Sequence, residues 1–81
     1  MKPRRSPYEI IWEIVSYCRK SRKITHILLA CSLNTDTARK YLNLLTEKGL
    51  LEKQSGNYVT TEKGMEYIKL FNELYRKVFG S

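Results

Sequence analysis

The stretch from Ile24 to Gly49, ITHILLACSLNTDTARKYLNLLTEKG, constrains this chain most, because it reads as two helices of unequal face joined by a short turn. At 100° per residue, Ala38, Tyr41, Leu42 and Leu45 share one side of the second helix, which predicts its core side. Asp36, Arg39, Lys40, Asn43 and Glu47 occupy a separate arc. The apolar run Ile24, Ile27, Leu28 and Cys31 comes first, and Ser32, Leu33 and Asn34 make the turn. Gly49 ends the second helix, since glycine most easily takes the left-handed conformation that stops one. Two helices so joined form a helix-turn-helix, whose second helix turns its outward arc to a partner. Long cationic and amide side chains on that arc are of the kind that reach base edges and phosphates from a major groove.

Not every polar residue there is a candidate for the groove. Asn34 suits the N-cap of a helix starting at Thr35, and Asp36 in its first turn complements the positive helix end, so both have complete structural readings. Arg39, Lys40 and Asn43 have none. They are the expected base and phosphate readers, with Thr35 and Thr37 near the leading end.

The flanking segments carry their own signals. In SPYE, Ser6 is placed as N-cap, Pro7 at the first helical position and Glu9 at N3, closing a capping box. The first helix is expected from Pro7 to about Lys20, with Ile10, Ile11, Ile14, Val15, Tyr17 and Cys18 on its apolar arc and Tyr8 and Trp12 at one edge. Glu9, Glu13, Ser16 and Lys20 are expected to face water. Thr25 or a neighbour is expected to cap the second helix. After Gly49 the period changes: two short β-like runs around QSGN read as a hairpin, a wing with Lys53, Gln54, Ser55 and Asn57 at or near its tip. There they stand in reach of a sugar-phosphate backbone. Thr61 then caps a last helix that runs to about Phe79, before Gly80.

That last helix has too much apolar surface for one core. Met65, Tyr67, Ile68, Leu70, Phe71, Leu74, Tyr75, Val78 and Phe79 cover an arc of about 220°, against the roughly 100° or more that docking on a single surface requires. A second copy of the chain is the expected cover. Tyr67, Ile68, Phe71, Leu74, Tyr75 and Val78 would form the seam, where Ile68, Phe71, Tyr75 and Val78 show the 3-4-3 spacing of a short coiled coil. The competing expectation is a helix lodged more deeply in its own domain.

Charge is concentrated rather than spread. Lys2, Arg4 and Arg5 precede the first helix, and Arg19, Lys20, Arg22 and Lys23 form RKSRK; these two clusters account for the net charge of +7. Such patches suit a polyanionic partner. Arg19 and Lys20 in the last turn of the first helix would also complement its dipole, whereas Arg22 and Lys23 lack such an explanation and join Arg4 and Arg5 as expected phosphate contacts.

The remaining features bound the function by exclusion. Eighty-one residues make one core, organised as a basic arm (1–6), a helix-turn-helix with wing (7–61) and a last helix for self-association (62–81). A chain this short buries only about 60% of its unfolded surface, which favours a partner copy. No run approaches the roughly 18 apolar residues of a membrane span, and MKPRRSPYE is polar where a signal peptide is apolar, so a cytoplasmic protein is expected, nucleoid-associated if it binds DNA. Cys18 and Cys31 read as buried thiols, with a disulfide left open; His26 is the only other soft ligand, and no C-x-x-C pair exists to hold zinc. With no paired carboxylates at a cleft, no glycine-rich phosphate loop and no nucleophile with a base, neither an enzyme nor a cofactor is expected.

Taken together, the pattern of helix, helix, recognition helix, hairpin and long last helix resembles winged helix-turn-helix proteins over nearly the whole chain. The segments ARKYLNLLTEKGLLEK and YVTTEKGMEYI are similar to the two junctions that flank the wing in that superfamily. The order YEIIWEIVSYCR, THILLACSLNTDTARKYL, TTEKG and KLFNELYRK resembles the archaeal ten-kilodalton chromatin-associated DNA-binding proteins. That resemblance implies a dimer joined by an antiparallel coiled coil of the last helices, with a seam here shorter than the family's. The expected function is dimeric binding of double-stranded DNA, as transcriptional regulator or chromatin protein. The alternative is a protein-interaction module whose apolar last helix takes a larger partner, because winged helices serve that role too. RNA is a weaker third choice, since no aromatics cluster on a sheet face.

Overall fold

The computed structural model describes residues 5–80, as four helices and one hairpin in the order α1 (Pro7–Tyr17), α2 (Ile24–Ala30), α3 (Thr35–Glu47), β1 (Leu51–Gln54), β2 (Asn57–Thr60) and α4 (Glu62–Phe79). It is a winged helix, mostly helical, with a long final helix. Lys2, Arg4 and Ser81 lie outside the described residues.

Helix ends follow capping chemistry where the sequence supplies it. Ser6 Oγ accepts from the Glu9 amide at 3.2 Å, and Pro7 opens α1. Glu9 answers through its carboxylate, which takes the Ser6 hydroxyl at 3.4 Å. At α3, Asn34 Oδ1 accepts from the Thr37 amide at 2.8 Å. The other end closes as a Schellman motif: Gly49, at φ +82°, donates to Thr46 O, and Leu50 donates to Leu45 O at 2.8 Å. α2 differs from expectation. Its N-cap is Lys23, whose side chain makes no capping bond, and Thr25 lies inside the helix.

α1 stops at Tyr17, three residues before the expected end near Lys20. The reason is tertiary. The Cys18 carbonyl accepts from the Thr60 amide at 2.8 Å, and Arg22 exchanges both backbone hydrogen bonds with Tyr58, at 2.9 and 2.8 Å. Arg22 thus forms an isolated antiparallel bridge with β2, and the Cys18 carbonyl and the Arg22 amide are lost to the helix. Arg19 and Lys20 consequently fall beyond the last turn, which contains no basic residue. Arg19 still serves the helix end by donating from Nε to Ser16 O at 3.1 Å. Glu13 and Ser16, expected to face water, are both half-buried.

β1 and β2 pair antiparallel from Leu51↔Thr60 to Gln54↔Asn57, closed by Ser55 and Gly56 with φ of +50° and +84°. Two successive positive φ values make the type I′ turn that matches the twist of a hairpin. Alternation puts Tyr58 in the core and leaves Val59 half-covered. Thr60 is a buried polar residue with its hydroxyl satisfied by Val15 O at 2.6 Å.

The core forms where the faces of α1, α2, α3 and the hairpin meet: Ile14, Val15, Cys18, Ile27, Cys31, Leu42, Leu45, Leu51 and Tyr58. Both cysteines are free thiols there. The first half of α4 closes this core. Tyr67 and Ile68 pack against it, Phe71 stacks on Trp12 with ring centroids 5.5 Å apart, Trp12 Nε1 donates to Asn72 Oδ1, and Tyr67 Oη donates to Tyr8 O. The rest of the helix's apolar arc is uncovered. Leu70, Leu74, Tyr75, Val78 and Phe79 are between 58% and 72% exposed. The expected seam therefore divides: Tyr67, Ile68 and Phe71 are spent within the protomer, whereas Leu74, Tyr75 and Val78 are free on this chain.

Candidate nucleic-acid interface

α3 is placed by its buried side. Ala38 and Leu42 are fully buried and Leu45 nearly so, and Tyr41 packs half-covered against the core. With these four turned inward, the 100° rotation per residue sends Arg39, Lys40 and Asn43 outward together, and all three are exposed. Thr35 is exposed at the first position of the helix. Thr37 is half-buried and uses its amide in the Asn34 cap. The result is a helix face of one guanidinium, one ammonium and one carboxamide, with the exposed carboxylates of Asp36 and Glu47 on the same arc, covered by no other part of the described chain. Arginine and lysine suit guanine O6 and N7 or phosphate, and asparagine suits adenine N6 and N7.

The wing adds a second polar element. Lys53, Gln54 and Ser55 are exposed at its tip and Asn57 is half-buried. The Lys53 ammonium stands 5.7 Å from the Tyr58 ring centroid, a cation–π distance that holds the stem along the hairpin.

The basic clusters divide by geometry. Lys23 is exposed at the start of α2. Arg22 is not free: its Nε donates to Tyr17 O at 3.1 Å and its guanidinium lies 4.3 Å from the Tyr17 ring centroid. It caps α1 and seals the edge beside β2, so the structural explanation missing from sequence exists after all. Arg5 is likewise engaged. It forms an ion pair with Glu13 and donates to Ser32 O at 3.2 Å, tying the arm to both α1 and the turn between α2 and α3. Arg4 lies outside the described residues.

Sequence reasoning overlooked two exposed leucines. Leu29 on α2 is 80% exposed, and Leu44, one turn beyond Lys40 on α3, is 41% exposed. The periodicity contained the signal for Leu44, which falls between the apolar and polar arcs. Among the described residues no group of three or more His, Cys, Asp or Glu side chains is placed to hold a metal ion, and no helix is long and apolar enough to cross a membrane.

Comparison with known proteins agrees with the fold. The chain is 32% identical over 73 residues to the uncharacterized protein MJ0287 of Methanocaldococcus jannaschii, covering 89% of this chain and 72% of that one. A second protein of that organism, MJ0290, is 30% identical over 77 residues, and this chain spans 36% of its length. Among solved structures, Sso10a-2, a DNA-binding protein from Sulfolobus solfataricus, superposes with a TM-score of 0.78 at 28% identity, over 89% of this chain and 80% of that one. IdeR from T. acidophilum shares the fold alone, with a TM-score of 0.72 at 16% identity over 99% of this chain and 42% of that one. A family model covers residues 4–78, nearly the whole chain, and by that match the chain belongs to the winged helix-turn-helix family.

Proposed function

We propose that the protein binds double-stranded DNA as a homodimer, with α3 in the major groove and the wing on the backbone. The observation that carries this reading is the shared, uncovered face of Arg39, Lys40 and Asn43 on a helix anchored by its opposite side. Likeness to Sso10a-2 supports it. Thr35 and Thr37 stand at the leading end, Lys53, Gln54, Ser55 and Asn57 follow the sugar-phosphate strand, and Lys23 adds a phosphate contact. Arg4 extends this set from the arm. Arg5 and Arg22 contribute positive potential while holding their intramolecular partners. The role is binding rather than catalysis, as regulator or chromatin protein at the nucleoid in the cytoplasm.

Duplex binding is testable by fluorescence anisotropy across several salt concentrations. Log affinity should fall with log salt at a slope near −0.9 for each phosphate neutralised. Arg39→Ala with Lys40→Ala should weaken binding strongly, flatten that slope and leave the helical circular dichroism unchanged. Binding indifferent to salt, or a double variant that binds as wild type, refutes the assignment. A regulator should keep one preferred sequence by about 10³-fold or more over unrelated DNA, and a packaging protein should not.

The exposed second half of α4 supports the dimer and also favours a second reading, a module that takes a larger protein on Leu74, Tyr75 and Val78. Light scattering on the isolated chain separates the two. A dimer that Leu74→Glu with Val78→Glu converts to a folded monomer supports self-association. A wild-type monomer supports the module.

A further inference from the structure

The junction between α3 and α4 contains an arrangement that neither packing nor charge readout has used. Three consecutive carbonyls just past α3, those of its C-cap Lys48 and of Gly49 and Leu50, all accept hydrogen bonds from Thr61 and Lys63. Lys63 Nζ donates to Lys48 O at 2.7 Å. Thr61 Oγ1 donates to Gly49 O at 2.6 Å, with Leu50 O at 3.1 Å, and the Thr61 amide donates to Leu50 O at 3.0 Å. The same hydroxyl accepts from the Gly64 amide at 3.2 Å, so one side chain caps the start of α4 and binds the end of α3. Gly64 makes the approach possible. A Cβ there would stand 2.4 Å from Leu50 O and 2.4 Å from Thr60 Cγ2.

We propose that Thr61 and Lys63 are positioning residues for the recognition helix: they lock the carboxyl end of α3 to the first turn of α4 and thereby set the tilt at which Arg39, Lys40 and Asn43 meet DNA. This rests on the reading of α3 as the helix that enters the groove. The physical reason is leverage. α3 is held along its inner side by apolar contacts, which are non-directional and tolerate sliding. Directional hydrogen bonds at one end remove that freedom, and an ammonium at a helix C-terminus adds a favourable dipole interaction. The wing adds further apolar contact through Leu51 and Tyr58, and it follows α3 through the short link at Gly49 and Leu50 that these bonds hold. Neither Thr61 nor Lys63 belongs to the outward arc of α3.

The test uses the full chain with Thr61→Val, Thr61→Ser and Lys63→Met, each assayed on one mixed-sequence 20-base-pair duplex, well below its own melting temperature and at several salt concentrations. A merely stabilising residue leaves affinity unchanged under those conditions. Thr61→Val and Lys63→Met are expected to weaken binding by about tenfold, the scale of coupling through a packed network, each with the wild-type salt slope. Thr61→Ser, which keeps the hydroxyl, is expected to bind as wild type. If Thr61→Val does not fold, Lys63→Met, which keeps the aliphatic stem, decides alone. Folded variants that bind as wild type overturn the proposal while leaving DNA binding intact. So does a Lys63→Met slope shallower by about 0.9, which marks Lys63 as a direct phosphate contact. A wild-type chain that binds no duplex overturns the proposed function and this inference with it.

Discussion

Gly64→Ala sets two ordinary rules against each other, and the structure decides between them. Alanine is preferred over glycine by about 1 kcal/mol in a helix interior, which is the most that position 64, in the first turn of α4, can gain. Against that, the new Cβ would lie 2.4 Å from the Leu50 carbonyl oxygen, and ordinary contact begins near 3.4 Å, so the helix start must retreat by about 1 Å. The obstacle is backbone, held by the Thr61 amide, and it cannot rotate away as a side chain would. Overpacking of this sort costs about 1–3 kcal/mol. Retreat also lengthens the Thr61 cap, a contribution of about 1 kcal/mol. Net of the propensity gain, the substitution should destabilise the fold by about 1–3 kcal/mol. For a domain of this size each kcal/mol moves the melting temperature by about 4–8 °C, so the drop should be roughly 5–20 °C. Thermal unfolding followed at 222 nm, with urea titration for the free energy, measures it. A melting temperature equal to or above wild type would show that α4 slides freely over the α3–β1 link, and the reasoning about the lock would fall with it.

Three further outcomes follow from particular contacts. Asn34→Ala removes the acceptor of the Thr37 amide and should cost about 1 kcal/mol in urea unfolding without altering helix content by more than the first turn of α3. Leu42→Ala empties a fully buried site on the inner face of α3 and should cost about 2–5 kcal/mol, with an unchanged denaturation slope if unfolding stays two-state. The thiols predict an alkaline limit. Burial pushes Cys18 up to about 12 and Cys31 up to about 11, so the folded chain keeps protons that the unfolded chain releases near pH 8.5. Their contribution to stability is complete below that pH and is lost as pH rises toward 11 and 12. Urea midpoints should therefore fall above about pH 8.5, less steeply in Cys18→Ala, and a thiol reagent at pH 8 should label the protein only after denaturant is added.

Much of the architecture was legible locally because its causes are local. Ser6, Asn34 and Thr61 cap helices through bonds to amides three residues on, and Gly49 and the Ser55–Gly56 pair adopt left-handed backbone within single turns. Periodicity of 3.6 residues placed the inner face of α3, and with it the outward position of Arg39, Lys40 and Asn43. What failed depended on partners distant in sequence. The early end of α1 comes from β2, some forty residues later, drawing off the Cys18 carbonyl and pairing with Arg22. Arg5 and Arg22 looked free because their acceptors, Glu13 with Ser32 O and Tyr17 O, carry no sequence motif.

The division in α4 shows the same boundary from the other side. Its sequence alone determined that too much apolar surface is present for one docking face, since the arc is a property of spacing. Only the tertiary structure decided which part of the arc its own protomer uses, because that depends on where α1 ends and how far α4 runs past Trp12. Capping, turn conformation and helical phase are set by bonds a few residues long and so are written in the order of amino acids. The bonds of Thr61 and Lys63 to the link after α3, the bridge of Arg22 to the wing and the exposed half of α4 exist only when segments separated along the chain have met.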